Sequence, residues 1–247
     1  GHADNSGDAP LAPAQQRMWL VNRFDVAAET DGGDHIAFAV DLPRDTDLDA
    51  LRGAFADVIT RHETLRTIYP DSGDGPRQHL LDTVELDLTP VDAPADLDDR
   101  MTEFARRRYD LTSDAPLRAA LYRTTDGFTL AVVLHHIAVD GLSLLPLGRD
   151  AATAYADRRA GETPDLAGSP VSFRDYARWH TAVLGDETDP RSLAATQLAH
   201  WKQTLAGAPP LLELPTDHPR SNITTGTTAQ VAFTVPAEVH AAIDKLA

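Results

Sequence analysis

The apolar segment FTLAVVLHH, residues 128–136, constrains the fold of this chain more than any other stretch. Leu130 to Leu134 are apolar without alternation, which is the pattern of a central strand covered on both faces. A second strand-like segment at 116–124 precedes it, and the turn TDG at 125–127 joins the two. The chain must therefore supply a covering layer on each side of a sheet.

The rest of the sequence contains segments with helical periodicity and segments with strand periodicity. Helices are predicted at 13–22, from Leu48 after the cap candidates Thr46 and Asp47, at 96–108, from just beyond Gly141 to Arg159, at 172–184, at 190–206 and from Pro236. Further strands are predicted at 35–43, 64–70, 77–91 and 228–236. This mixture predicts an α/β layer sandwich, a mixed β-sheet flanked by helices.

Composition excludes several classes of function. The 247 residues contain no cysteine, which excludes disulfides, thiolate metal sites and a cysteine nucleophile. A net charge of −16 repels phosphate backbones and argues against nucleic-acid binding. The absence of cysteine also fits a cytoplasmic protein. No apolar run approaches the ~20 residues of a membrane span. Residues 1–9, which open with GH and no Met, are interpreted as a tag scar or linker.

The histidine pair at the end of the apolar segment has the residue types of an acid–base site. Side chains alternate along a strand, so His135 and His136 should point in opposite directions, one to a cleft and one into the scaffold. Such opposed neighbours cannot serve one metal ion. Asp140 can brace the loop or pair with an arginine, and Gly141 permits a tight turn into the next helix. A neutral imidazole can accept a proton near neutral pH, and the helix start can stabilise an oxyanion.

Four motifs carry a resemblance to a known family. HHIAVDG at 135–141 resembles the active-site motif of the chloramphenicol-acetyltransferase-like superfamily. LAPAQQRMWL at 11–20, RHETLRT at 61–67 and VSFRDYARWH at 171–180 resemble motifs of the condensation domains of nonribosomal peptide synthetases. Leu142 replaces the usual aromatic residue after the glycine. The resemblance covers the first half of such a domain and implies an N-terminal lobe at 10–182, followed by connector helices and the opening of a truncated C-terminal lobe at 183–247.

The resemblance implies an acyltransferase that joins a donor acyl or peptidyl thioester to an acceptor aminoacyl amine. Both substrates would arrive on the phosphopantetheine of carrier proteins, and the domain itself would bind no cofactor and no metal. The implied partners are an upstream donor carrier, a downstream acceptor carrier, an adjacent adenylation domain and the missing C-terminal lobe. Alone, this half would be inactive.

The resemblance also implies roles for the motif residues. His136 would lie at the reaction centre, where it takes the proton of the amine or orients the amine. His135 and Asp140 would be scaffold, with Asp140 in a salt bridge to an arginine, and the Gly141 N–H would contact the oxyanion.

The other motifs are interpreted as structural. Trp19 and Leu20 are expected in the core, residues 61–63 in ion pairs, and residues 175–179 in helix packing. Two kinds of alternative function stay open. One is a different enzyme of the superfamily, an epimerization domain or a freestanding acyltransferase, and the other is a non-catalytic docking module.

Overall fold

The computed structural model describes residues 8–28, 34–71, 73, 75–166, 168, 171–212, 215, 231 and 233–246. The chain divides into two compact units, Gly1–Ala208 and Pro209–Ala247. The lobe boundary expected after residue 182 stays a prediction. Within the described ranges, no helix is both long enough and apolar enough to cross a membrane.

A four-stranded sheet forms the centre of the first unit. Its strands are β2 (His35–Pro43), β5 (Val91–Asp92), β6 (Leu117–Arg123) and β7 (Gly127–His135), in the order β2-β7-β6-β5. Strand β7 runs antiparallel to both neighbours, and its residues 129–135 are all buried, which confirms the predicted central strand. Glycine is required at Gly127, where a Cβ would lie 2.2 Å from the carbonyl oxygen of Leu42.

The two faces of β7 are covered by different layers. Leu130, Val132 and Leu134 pack in one hydrophobic cluster with helices α2 (Leu48–Arg61) and α4 (Leu144–Arg159). Val133 and Ile137 pack in a second cluster beside helices α1 (Pro13–Ala28) and α3 (Leu97–Arg106). Helices on both faces of a mixed sheet make the α/β layer sandwich that the sequence predicts.

A second, three-stranded sheet contains β1 (Ala9–Pro10), β4 (Arg77–Leu80) and β3 (Thr67–Ile68), in the order β1-β4-β3. The strands predicted at 64–70 and 77–91 are therefore shorter than expected. Residues Glu63–Arg66 instead form a 3-10 helix, because the Leu65 N–H bonds the His62 carbonyl and closes a turn. Ala9, assigned to the linker from sequence, pairs with Gln78 and is fully buried.

In the described part of the chain, three further helices follow α4. They are α5 (Phe173–Leu184), α6 (Leu193–Thr204) and, in the second unit, α7 (Ala237–Asp244). The strand expected at 228–236 falls partly outside the described residues, and its described residues, 231 and 233–236, form no strand.

Two packing expectations are wrong. Leu20 was expected in the core but is 51% exposed on α1, whereas Trp19 is half-buried and its indole N–H donates to the Tyr69 carbonyl at 2.9 Å. Tyr176 and Trp179 were expected to pack but are 40% and 59% exposed. Among the described aromatic contacts, the Trp179 ring contacts only Tyr176 and His180 of its own helix. Helical spacing cannot distinguish a covered face from an open one.

Candidate functional site

The turn between β7 and α4 carries the histidine motif. The backbone N–H of His135 donates to the Pro116 carbonyl at 3.0 Å, and that of His136 donates to the Asp34 carbonyl at 2.9 Å. Helix α4 begins at Leu144, so Pro146 lies in its first turn, as predicted. Because Pro116 and Asp34 directly precede the neighbouring strands β6 and β2, these two bonds fix the backbone of both histidines at the end of β7.

His135 points into the scaffold, behind the sheet. His135 is 4% exposed, and its ring makes a T-shaped contact with the Tyr109 ring at a centroid distance of 5.5 Å. Its Nδ1 accepts the Ile137 N–H at 3.1 Å, so the neutral ring carries its proton on Nε2. Burial, together with nearby His35 and His136, lowers the pKa of His135 to about 4. This ring is held neutral and has a supporting position.

The buried neutral His135 should make the fold sensitive to acid. Its pKa is 6.5 in the unfolded chain and about 4 in the folded protein, so the unfolded state binds the proton first. Stability from this group is complete above pH 6.5 and is lost as the pH falls toward 4, by an amount on the order of 3 kcal/mol. Urea unfolding at pH 7 and pH 4.5 measures the loss. His135→Gln should reduce the difference between the two pH values, and an unchanged difference would contradict this assignment.

His136 is half-buried, and its tautomer is set by the turn itself. Its Nδ1 lies 3.2 Å from the carbonyl oxygen of Val139. A carbonyl can only accept, so Nδ1 carries the proton of the neutral ring and Nε2 keeps its lone pair. Nε2 has no hydrogen-bond partner within the described part of the chain. The ring is therefore arranged to accept a proton or an N–H hydrogen bond at Nε2.

Asp140 braces the turn. Its Oδ1 accepts the backbone N–H of Ser143 at 2.9 Å and the Ser143 hydroxyl at 2.5 Å. These bonds lower the pKa of the Asp140 carboxyl. Among the described residues, no arginine lies within salt-bridge distance of it, so the structure shows the bracing alternative instead of the implied arginine pair.

Asp140→Ala should loosen the start of α4. The backbone N–H of Ser143 would lose its side-chain acceptor on an exposed turn, which costs roughly 1 kcal/mol and lowers the melting temperature of a chain this size by about 2–4 °C. Asp140→Asn keeps the side-chain acceptor and should melt close to the parent. Thermal unfolding followed by circular dichroism measures both, and an alanine variant as stable as the parent would contradict the bracing role.

Gly141 and Leu142 are the exposed residues in the middle of the turn. The backbone N–H of Gly141 has no acceptor among the described residues, and a Cβ there would meet nothing within 4 Å. Leu142, at the position of the family's usual aromatic residue, is 88% exposed. The oxyanion contact expected from the Gly141 N–H stays a prediction.

The motif RHETLRT forms ion pairs beside the turn, as expected. The Arg61 Nε and the His62 Nε2 each donate to Asp150 Oδ2 at 2.9 Å. Asp150 is 7% exposed and lies on α4. The sequence analysis missed Asp150, although it lies on the buried stripe of α4 with Leu147 and Ala154, and a carboxylate on such a stripe indicates a buried partner.

A second ion pair links Glu63, the third residue of the RHETLRT motif, to α5. Glu63 accepts the Ser172 hydroxyl at 2.9 Å and lies 3.4 Å from the Nε of Arg174, whose side chain is 3% exposed. A groove of about 1150 Å³ lies over this corner and reaches Val139 and Ser143 of the motif turn. His136 is not among its lining residues.

Comparisons with known proteins agree on one family. A family model described as Condensation domain matches residues 5–247. The chain is 42% identical to a probable non-canonical nonribosomal peptide synthetase, CymA, of Salinispora arenicola, over 96% of this chain and 3% of that protein. It is 39% identical to the dimodular nonribosomal peptide synthase of Bacillus subtilis, over 99% of this chain and 10% of that protein.

A solved structure is similar over most of the chain. The X-domain from teicoplanin biosynthesis, solved in complex with OxyB, matches with a TM-score of 0.81 and 36% identity. The match covers 90% of this chain and 49% of the X-domain chain. This chain therefore spans about half of the solved relative and a small part of the curated relatives.

Proposed function

Since the chain belongs to the condensation-domain family of nonribosomal peptide synthetases, we propose that it is the histidine-bearing half of a domain that forms peptide bonds. The donor is an acyl or peptidyl thioester and the acceptor is an aminoacyl amine, each on the phosphopantetheine of a carrier protein. The domain works in the cytoplasm beside an adenylation domain. It needs no bound cofactor or metal, because the thioester is already activated.

The tautomer of His136 is the observation that carries this proposal. With Nδ1–H donated to the Val139 carbonyl, the Nε2 lone pair, which has no partner among the described residues, can accept a hydrogen bond from the attacking amine. The amine nitrogen forms a bond to the thioester carbonyl carbon, and the carbon–sulfur bond then breaks. The proton lost by the amine passes through Nε2 to the departing thiolate, so no net charge is left behind.

Positioning supplies much of the acceleration. Holding two reactants together in a productive geometry contributes ~7–11 kcal/mol, and a carrier-delivered reaction uses this effect for both substrates. His135 and Asp140 fix the turn, and the Gly141 N–H is the candidate contact for the oxyanion. We expect no turnover from the 247-residue chain alone, since it spans 49% of the solved relative.

A non-catalytic docking module is the second candidate function. The similarity to the X-domain, which was solved in complex with OxyB, favours it. The complete histidine pair and the tautomer of His136 favour catalysis. An epimerization domain would keep the same fold and stays a third reading.

Loading both carriers tests the proposal. The complete domain, expressed with its donor and acceptor carriers, should convert the two aminoacyl thioesters to a dipeptidyl thioester on the acceptor carrier, measured by intact-protein mass spectrometry. A docking module would give no dipeptide with its histidines intact. An epimerization domain would give no dipeptide but would invert the configuration of the loaded amino acid, which chiral chromatography after thioester cleavage detects.

A further inference from the structure

A small cavity of about 10 Å³ lies behind the sheet, beside the buried ring of His135. Helix α1 supplies Asn22 and Val26 to its wall, and Tyr109, which follows α3, lies beside them. One water molecule needs about 10–15 Å³ of such volume. The cavity therefore has room for a ligand of one heavy atom.

Asn22 sets the first requirement for that ligand. The residue is 7% exposed, and its Nδ2 donates to the Tyr109 carbonyl at 2.9 Å. Because a carbonyl can only accept, this bond fixes which end of the amide carries the oxygen. Oδ1 is buried and has no hydrogen-bond partner within the described part of the chain. Buried acceptors in proteins are normally paired, so a ligand beside Oδ1 must donate a hydrogen bond.

His135 sets the second requirement, which is the opposite one. Its Nδ1 accepts the Ile137 N–H at 3.1 Å, so Nε2 carries the proton of the neutral ring. Burial lowers the pKa of His135 to about 4, which keeps the ring neutral at pH 7. Nε2 has no hydrogen-bond partner among the residues that the structure describes. A ligand beside Nε2 must therefore accept a hydrogen bond.

The two requirements together identify the ligand chemistry. A sodium ion cannot accept a hydrogen bond and a chloride ion cannot donate one, whereas water does both. Buried waters typically form about three hydrogen bonds, and the polar residues Asp25, Asp34 and Arg108 line the same cavity. The lining therefore matches water and neither kind of ion.

We propose that this cavity binds one ordered water molecule, which accepts a hydrogen bond from His135 Nε2–H and donates one to Asn22 Oδ1. The water keeps the proton on Nε2 and so leaves Nδ1 to hold the Ile137 N–H in the motif turn. Asn22 is then a positioning residue, which acts on the turn through the water and His135. The inference is independent of the reaction that the motif performs, since it concerns the buried histidine.

A high-resolution crystal structure of the 247-residue chain tests the water directly. The expected result is one water peak within about 2.7–3.2 Å of both Asn22 Oδ1 and His135 Nε2. The absence of a peak within reach of both atoms would overturn the inference. A peak that anomalous scattering identifies as chloride would overturn it as well.

Nuclear magnetic resonance with ¹⁵N-labelled histidine gives a second readout, in solution. At neutral pH the His135 Nε2–H proton should show a nuclear Overhauser contact with a bound water. Val26→Ile adds a methyl group at the cavity wall and retains both polar partners, and it should remove this contact and shift the Nε2 resonance. Asn22→Leu removes the acceptor and should have the same effect, which decides the matter if Val26→Ile lowers the melting temperature.

Val21→Ile is the matched control, because Val21 lies on the same helix, is 37% exposed and does not line the cavity. It should keep the water contact and the Nε2 resonance. Survival of the contact in both test variants, or equal loss in the control, would contradict the inference.

The Tyr109 ring is the competing acceptor for His135 Nε2–H, since the two rings form a T-shaped contact. An N–H that points at an aromatic ring has its proton resonance moved upfield by the ring current and shows no water contact. That result would assign Nε2–H to the ring and would reject the water site.

A downfield Nε2–H resonance with the water contact would support the site.

Discussion

His136→Ala in the complete domain should lower the rate of peptide-bond formation by about 10²–10⁴-fold, the usual contribution of a positioned acid–base group. The reason is the loss of Nε2, which has no hydrogen-bond partner among the described residues and belongs to a ring fixed through Nδ1. The side chain is half-buried and its described hydrogen bond is the one to the Val139 carbonyl, so its removal should lower the melting temperature by only a few degrees and leave the domain folded. Carrier-loaded turnover and thermal unfolding are the two measurements.

His135→Ala is the control, and it should give the opposite pattern. That ring is buried against Tyr109, so its loss should reduce stability more than the rate per folded molecule. His136→Gln separates the two roles of Nε2. A glutamine oxygen can accept a hydrogen bond from the amine but cannot take its proton, so partial rescue indicates positioning and no rescue indicates a base. A fully active His136→Ala would refute both roles.

The strand that carries the site could be predicted because its cause is local. An unbroken apolar segment can only be a covered strand or a buried helix segment, and the TDG turn with a second apolar segment favours the strand. The helix start at Asp47, one of the two cap candidates, was also predictable from local sequence. Its side chain accepts the N–H groups of Asp49 and Ala50 at 3.0 Å.

Features that depend on distant residues could not be predicted in the same way. The pairing of Arg61 and His62 with Asp150 joins positions nearly ninety residues apart, and no local pattern encodes it. The exposure of Trp179 has the same origin, because helical spacing shows which side chains share a face but not what covers that face.

Asp150→Ala should cause a large loss of stability. Breaking a buried ion pair by removing one partner costs about 3–5 kcal/mol, because the remaining charge stays buried without compensation. Arg61 keeps the Leu166 and Gly168 carbonyls, each at 2.9 Å, so we expect a value near the lower end, about 3 kcal/mol. Chemical denaturation at neutral pH measures the loss.

Asp49→Ala is the matched control, because Asp49 forms its pair with Arg52 on the surface and its own side chain is 96% exposed. Exposed pairs contribute ~0–1 kcal/mol, so this variant should unfold close to the parent. Equal losses in the two variants would contradict the buried role of Asp150.

Acid titration gives the same test a second readout. Burial raises the pKa of Asp150, but hydrogen bonds from His62 and Arg61 outweigh it and bring the pKa below its ordinary value of 3.8. A carboxyl group whose pKa is lower in the folded than in the unfolded protein stabilises the fold. This stabilisation is complete above the ordinary pKa and is lost as the pH falls through the pKa of the folded protein. Parent and Asp150→Ala should therefore differ most at neutral pH and converge below pH 3.8, whereas a difference that persists in acid would assign the loss to packing instead of charge.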